Sequence, residues 1–136
     1  MEEVNDLQIG EAGEHLVCAD LILNGCPAFQ SAQGLPYDVC VNFNNRVYRI
    51  QVKTTRAPRP VPQRVNRTDA YLFHTRRCGK GGRQSYAESD FDILALVALD
   101  IKKVAYLLLK DTKQTIHLNL EKFLNMGWDV FCQNLN

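Results

Sequence analysis

The hydrophobic pattern of the chain is helical at its beginning and extended afterwards. In segment 4–24 the apolar residues recur at intervals of three and four, and Asn24-Gly25 ends the run. This spacing predicts an amphipathic α-helix that stops at the asparagine-glycine pair.

Two strand patterns follow closely on each other, over segments 37–43 and 46–55. They flank Asn44-Asn45, and asparagine tolerates the left-handed backbone conformation that tight hairpins need. We therefore expect a β-hairpin. Further segments with a strand pattern are 26–30, 70–75, 91–99 and 103–109, and 115–126 predicts a short strand followed by a short helix.

The apolar runs 91–99 and 103–109 are continuous rather than alternating, which indicates strands covered on both faces. Prolines 58, 60 and 62 lack the amide donor that a central strand requires, so this segment is expected to be a loop or a sheet edge. With 136 residues, 46% of them hydrophobic, the elements predict one α/β (α+β) domain over residues 1–136.

Targeting and metal-cluster signals are missing from the sequence. No run of 18 apolar residues occurs, and the acidic start MEEVNDLQ does not resemble a signal peptide, so we expect a soluble cytoplasmic protein. The five cysteines are scattered without a C-x-x-C pair, which argues against a disulfide framework and a structural zinc site.

Charge is distributed very unevenly although the net charge is only +1. Segment 53–83 contains nine basic residues and one acid, a balance of +8, and the remainder of the chain therefore carries −7. Such asymmetry suggests a basic surface that faces a polyanion, formed by two predicted loops at 55–68 and 76–89. The alternative is a solvated arginine-rich loop without a partner.

Several chemically useful side chains converge in the predicted hairpin. Strand alternation places Arg49, Gln51 and Lys53 on one face, and pairing of the two strands brings Asp38 beside Gln51 and Lys53. We expect the first helix to lie across that same face and to contribute Glu14.

Such a group of side chains suits phosphodiester hydrolysis with a hard metal ion. Mg²⁺ prefers oxygen ligands, which Asp38, the Gln51 carbonyl and Glu14 would supply. The Lys53 ammonium would position the attacking water and neutralise charge that develops on the phosphate.

The motifs also carry a family resemblance. They are G-x-x-x-E with Gly10 and Glu14, PYDV with Asp38, QVK with Gln51 and Lys53, and Tyr86 before Asp92 at the opening of an apolar strand. In this order they resemble the PD-(D/E)XK nuclease superfamily, and within it the restriction-like homing endonucleases associated with group I introns. The resemblance spans about residues 9 to 109.

The resemblance implies a restriction endonuclease-like core, a mixed central β-sheet flanked by helices. It implies a Mg²⁺-dependent endodeoxyribonuclease, with Mn²⁺ as a substitute, that acts on double-stranded DNA and is associated with the nucleoid when bound. Because one catalytic set cuts one strand, we expect a homodimer or homotetramer. Glu14 is preferred to Glu11 because the glycine four residues before it matches the family pattern.

The expected DNA contacts are mostly arginines, which bind phosphates and read guanine edges in the major groove. They are Arg49, Arg56, Arg59, Arg64, Arg67, Arg76, Arg77, Lys80, Arg83 and Tyr86. Two of the assignments have structural alternatives: Arg49 would pair with a nearby acid, and Tyr86 would simply be packed. Asp92 is expected to fix the start of the strand after it.

Two departures from the family pattern keep other functions open. Gln51 replaces the usual Asp or Glu, a substitution that active relatives share, and Tyr37 stands where proline precedes Asp38, with Pro36 one place earlier. The alternatives are a Holliday-junction resolvase-like nuclease, a catalytically weak DNA-binding module of the same fold, or a protein-interaction factor of a mobile element. The aromatic residues Phe123, Trp128 and Phe131 would serve either subunit assembly or closure of the core.

Overall fold

The computed structural model describes residues 2–61, 69–75, 77–79, 82–84 and 90–135, and for 77–79 and 82–84 it describes the backbone alone. Helices are Asp6–Leu23 (α1), Leu120–Leu124 (α2) and Trp128–Phe131 (α3), with 3₁₀ turns at Leu109–Asp111 and Cys132–Asn134. Strands are Ala28–Gln30 (β1), Val39–Phe43 (β2), Arg46–Thr55 (β3), Arg59–Pro60 (β4), Asp69–His74 (β5), Arg77–Gly79 (β6), Gly82–Gln84 (β7), Ile93–Ala98 (β8), Lys103–Leu108 (β9) and Thr115–Leu118 (β10).

The strands form an α+β fold around a mixed central sheet, as predicted. The five-stranded sheet has the order β1-β2-β3-β8-β9, in which β3 and β8 are parallel and the other neighbours antiparallel. A three-stranded antiparallel sheet has the order β10-β5-β4, and β6 and β7 form a two-stranded hairpin. The predicted loop 76–89 thus contains two strands.

Local sequence signals explain the turn between β2 and β3 and the position of β4 at the edge of its sheet. Asn44 and Asn45 have φ values of 52° and 62°, the left-handed pair of a two-residue hairpin turn, which confirms the predicted hairpin between β2 and β3. Pro60 lies in β4, at one end of the three-stranded sheet, where an absent amide donor does least harm.

Strand β8 is buried on both faces, as its continuous apolar run predicts. Ile93, Ala95 and Val97 pack into a core with α1, α3 and the hairpin β2-β3, which we call the helix-side core. The alternate residues of β8 pack into a second core with β5, β10 and α2, which we call the sheet-side core. The central sheet is therefore the middle layer of three.

Helix α1 lies on the opposite face of the central sheet from Gln51 and Lys53, so the expectation that it covers their face is wrong. Its buried residues Gly13, Val17 and Leu21 are spaced by four and belong to the helix-side layer. Gln51 and Lys53 are register partners of Leu94 and Leu96, whose side chains belong to the sheet-side core. Strand alternation accordingly directs them away from the helix.

The C-terminal aromatic residues close the core rather than form an exposed surface. Phe123, Trp128 and Phe131 are 1%, 3% and 7% exposed. Trp128 packs edge-on against the ring of Tyr106, with ring centroids 5.1 Å apart. The Tyr106 hydroxyl donates a hydrogen bond of 2.7 Å to the Asp20 carboxylate, which joins β9 to α1. In the part of the chain that the structure describes, no helix is long and apolar enough to span a membrane.

The contact between α1 and β3 predicts opposite effects for two glycine substitutions in one helix. A Cβ on Gly13 would lie 1.8 Å from Thr54 Oγ1, whereas a Cβ on Gly10 would meet nothing within 4 Å. Gly13→Ala should lower the free energy of unfolding by about 1–3 kcal/mol. Gly10→Ala should raise it by about 0.5–1 kcal/mol, because alanine is the better helix former.

Urea denaturation of the two variants measures both effects. Adding Thr54→Ala to Gly13→Ala should restore part of the loss, because it removes the Oγ1 atom and leaves the Cβ at 3.0 Å. Equal destabilisation by both glycine substitutions would contradict the proposed close packing.

Candidate active site

Asp38 lies where strands β2 and β3 separate. Their regular pairing ends with Val39 opposite Ile50, and the Asp38 backbone N–H still donates to the Ile50 carbonyl at 2.8 Å. The next amide of β3 on that side belongs to Val52, and it donates to Asp38 Oδ2 at 2.8 Å. The carboxylate therefore takes the place of a further residue of β2, which fixes its position on the backbone of the sheet.

Gln51 holds the same carboxylate oxygen. Its Nε2 donates to Asp38 Oδ2 at 2.9 Å. Both hydrogen bonds to the Asp38 side chain end on Oδ2, so among the described contacts Oδ1 is left for a ligand. The predicted proximity of Asp38 and Gln51 is thus present in the structure.

Glu14 reaches the same site from α1. Together with Asp38 it lines a cavity of about 610 Å³ between the first half of α1 and the loop that connects β1 to β2. Glu11 lines the cavity too, but its side chain is exposed, whereas Glu14 is half-buried. The preference for Glu14 accords with this difference in burial.

Electrostatic interactions couple these side chains. Burial raises the pKa of Asp38, while the Val52 amide and then the Lys53 ammonium act against that rise. Burial also raises the pKa of Glu14, and the negative charges of Asp38 and Glu11 raise it further. The site therefore holds two carboxylates that are costly to ionise together, with Lys53 near enough to stabilise one of them.

The donor set fits a hard divalent cation. Two carboxylates that repel each other and face one cavity gain from a cation between them, and magnesium characteristically takes one or two carboxylates and completes its shell with water and phosphate oxygens. Within the described ranges, no three His, Cys, Asp or Glu side chains are grouped so that they would hold a metal. Gln51 presents its N–H₂ to Asp38, so its carbonyl oxygen would become a ligand only after the amide turns over.

Arg49 pairs with an acid, the structural alternative to its predicted DNA contact. Its backbone N–H donates to Asp92 Oδ2 at 2.8 Å, and its guanidinium donates to both oxygens of Asp92 at 3.3 Å and 3.1 Å. The guanidinium also lies over the ring of Tyr37, 5.8 Å from its centroid. Asp92 therefore fixes the start of β8 as expected, and Arg49 packs against Tyr37, the residue before Asp38.

The other predicted DNA contacts are only partly described. The Arg56 guanidinium donates to the Val4 carbonyl at 2.8 Å and lies 3.4 Å from the Asp6 carboxylate. Arg59 is exposed on β4. Arg64, Arg67, Arg76, Lys80 and Tyr86 lie outside the described residues, and Arg77 and Arg83 are described only in their backbone.

Three features of the site were missed in the sequence. They are the capping of the Val52 amide by Asp38, the close contact of Gly13 with Thr54, and the wall formed by the loop before Asp38. The spacing of Gly13, Val17 and Leu21 by four is the one signal that identifies the buried helix face in advance.

Comparisons with known proteins agree with this fold. A family model described as PD-(D/E)XK endonuclease matches residues 4–126. The fold is similar to that of the bacterial homing endonuclease I-Ssp6803I, with a TM-score of 0.68 and 16% sequence identity, over 85% of this chain and 79% of that chain. At this identity the likeness concerns the fold. No curated protein sequence matches.

The ion pair of Asp92 predicts a pH-dependent contribution to stability. Hydrogen bonds from Arg49 lower the pKa of Asp92 in the folded protein despite the opposing effect of burial. The pair therefore stabilises the fold fully at pH values above the unfolded pKa of Asp, about 3.9, and this contribution is lost as the pH falls through the lower folded value. Asp92→Asn should cost about 1 kcal/mol at pH 7, since the pair is partly solvated.

Urea denaturation of the wild type and of Asp92→Asn at pH 7 and pH 3 measures the difference in unfolding free energy. That difference should shrink at pH 3. Asp111→Asn, which removes an exposed acid, is the matched control. Its difference in unfolding free energy from the wild type should be the same at pH 7 and pH 3. A difference that stays constant between pH 7 and pH 3 would show that Asp92 stabilises the fold through its packing rather than through its charge.

Proposed function

Because the chain belongs to the PD-(D/E)XK endonuclease family, we propose that it is a magnesium-dependent endodeoxyribonuclease that hydrolyses phosphodiester bonds in double-stranded DNA. We further propose that it is of the homing type or serves another mobile element or a phage. The observation that carries the proposal is the Asp38 carboxylate, which two hydrogen bonds hold at the split between β2 and β3 in one cavity with Glu14.

Each side chain of the site has a role in this reaction. Asp38 and Glu14 would hold Mg²⁺, or Mn²⁺ in its place, and Gln51 would join them through its carbonyl oxygen. When bound, the ion polarises a phosphoryl oxygen and lowers the pKa of a water molecule. Lys53, whose positive charge already acts on Asp38, would position the attacking water and stabilise the negative charge of the transition state.

The basic segments would supply binding rather than chemistry. Arg56 and Arg59 follow Lys53 along the chain and border a cavity of about 390 Å³ beside the start of α1. Cations in that position can contact the phosphates next to the scissile bond. Arg56 would have to exchange its contacts with Val4 and Asp6 for phosphate, so Arg59 is the more accessible of the two.

Assembly follows from the number of catalytic sets. One chain carries one set of Glu14, Asp38, Gln51 and Lys53, and such a set cuts one strand, so we propose that a homodimer or homotetramer cleaves both strands. We place this assembly in the cytoplasm, on the nucleoid when it is bound to DNA. A four-way junction is the alternative substrate, which a resolvase-like nuclease would prefer.

One observation favours a second candidate, a DNA-binding module with weak catalysis. Gln51 donates a hydrogen bond from its Nε2 to Asp38 Oδ2, so its carbonyl oxygen is not presented as a metal ligand. If that hydrogen bond persists when the cation binds, only Asp38 Oδ1 and Glu14 are left to hold the metal, and the metal would bind weakly. The two candidates differ in divalent-metal dependence.

A cleavage assay separates the candidates. Supercoiled plasmid and a four-way junction are incubated with the protein in Mg²⁺, Mn²⁺ or EDTA. We expect cutting in Mg²⁺ and Mn²⁺, none in EDTA, and a loss of about 10²–10³-fold in rate for Lys53→Ala, the effect of removing one preorganised group that stabilises transition-state charge.

Lys122→Ala, at an exposed residue of α2 whose backbone N–H is capped by Asn119, is the matched lysine control and should cut at the wild-type rate. Salt-sensitive DNA binding without cutting in either metal would instead establish the weakly catalytic module. Cutting by Lys53→Ala at the wild-type rate would remove Lys53 from the catalytic set.

The basic surface predicts a steep salt dependence. If about five cations neutralise phosphates, log K should fall with log salt with a slope of about −4 to −5. Arg59→Ala should make that slope shallower by about 0.9, because one phosphate contact is lost. Gel-shift titrations in EDTA between about 50 and 200 mM salt measure the slope. An unchanged slope would exclude Arg59 as a phosphate contact.

A further inference from the structure

The loop that connects β1 to β2 is hydrogen-bonded to the backbone of Asp38 and of the residue before it. At its base the Ser31 backbone N–H donates to the Asp38 carbonyl at 2.9 Å, and the Ser31 hydroxyl donates to the Tyr37 carbonyl. Gly34, with a φ of 90°, makes the turn at its far end. We call residues 31–37 the cavity loop, because most of them line the cavity that holds Asp38 and Glu14.

The cavity loop has an unusual surface for its place in the molecule. Residues 30–37 carry no charged side chain, although the opposite wall of the cavity carries Asp6 and Glu11. At the far end of the loop Gln33 is exposed, and Leu35 keeps 45% of its surface in contact with solvent. An exposed amide and an exposed aliphatic side chain therefore line the same cavity as the Asp38 carboxylate.

This surface suits a particular part of a nucleic acid. A neutral loop does not attract the phosphate backbone, but amide side chains hydrogen-bond to base edges and aliphatic side chains contact sugars or wedge between base steps in the minor groove. The minor groove is about 6 Å wide and admits a narrow loop rather than a helix. If the basic segments make the proposed phosphate and major-groove contacts, the minor groove is left to another element.

We propose that the cavity loop enters the minor groove of the DNA next to the scissile phosphate, with Leu35 against the sugars or base step and Gln33 on the base edges. This inference rests on the proposed function, since it assumes that the bound polyanion is DNA. Because Ser31 ties the loop to the backbone of Asp38, the loop selects base pairs at a fixed distance from the cut. It would thus contribute sequence preference that the arginine-rich segments do not supply.

Inosine gives a test that does not depend on a known recognition site. Replacing guanine by inosine removes the amino group from the minor groove and leaves the major-groove acceptors in place. Random-sequence duplexes made with dGTP or with dITP are bound to wild type, Gln33→Ala and Leu35→Ala by gel shift in EDTA. Wild type should prefer one pool about tenfold, the discrimination of one good base contact, and both variants should lose most of that preference.

Two controls separate this loop from other surfaces. Leu7→Ala removes an aliphatic side chain, 86% exposed, from the acidic wall of the same cavity and should keep the preference. Arg59→Ala should weaken binding to both pools equally. Equal binding of the two pools by wild type, or retention of the preference by both loop variants, would overturn the proposal.

Cleavage and assembly measurements distinguish the remaining outcomes. If wild type cuts plasmid but shows no inosine preference, the loop proposal fails and the proposed nuclease function stands. If the preference exists and depends on Leu35 while no metal supports cutting, the nuclease function fails and the loop proposal stands. If Leu35→Ala dissociates the oligomer in sedimentation, Leu35 is a subunit contact and the proposal is overturned.

Discussion

The Val52 amide needs a hydrogen-bond acceptor where strand β2 stops, and Asp38 provides it with its own carboxylate. An unpaired buried amide is costly, and an acidic side chain beside the sheet is costly too, but each relieves the other. The arrangement keeps an oxygen of Asp38 on the backbone of the central sheet, which is far stiffer than a side chain on a loop. Gln51 donates to that oxygen, Glu14 lines the same cavity, and the cavity loop is hydrogen-bonded to the backbone of the same residue.

Two layers on opposite sides of the sheet bring the remaining groups to Asp38. Helix α1 packs closely on β3 at Gly13 and carries Glu14 to the cavity from one side. The odd residues of β3 carry Gln51 and Lys53 on the other side. The candidate groups meet at the end of a strand pair, where the two strands separate and side chains from both faces of the sheet can approach one carboxylate. The split between β2 and β3 is therefore a requirement of the site as well as a feature of the fold.

The features of the fold and of the site that depend on local sequence could be predicted, and those that depend on contacts between distant residues could not. The hairpin at Asn44-Asn45 and the doubly buried strand after Asp92 follow from turn chemistry and from a continuous apolar run. Helix α1 covers the face of the sheet that carries Thr54, and Gly13 packs closely on it there, a contact between two residues that no periodicity connects. The partner of Arg49 was likewise open, because an arginine on a strand pairs with whatever acid the next strand brings.

The neutral residue at position 51 can be understood from the same electrostatics. Burial already raises the pKa values of Asp38 and Glu14, and the negative charge of Asp38 raises that of Glu14 further, so a third carboxylate on β3 would make the site harder to fold without a cation. An amide avoids that repulsion and, without a cation, uses its N–H to stabilise Asp38. Its carbonyl oxygen is a weaker ligand than a carboxylate, so the affinity for the cation should fall. If the proposed cation binds at Asp38, Gln51 would thus exchange affinity for that cation for stability of the fold without it, and the DNA phosphate would have to complete the cation's coordination.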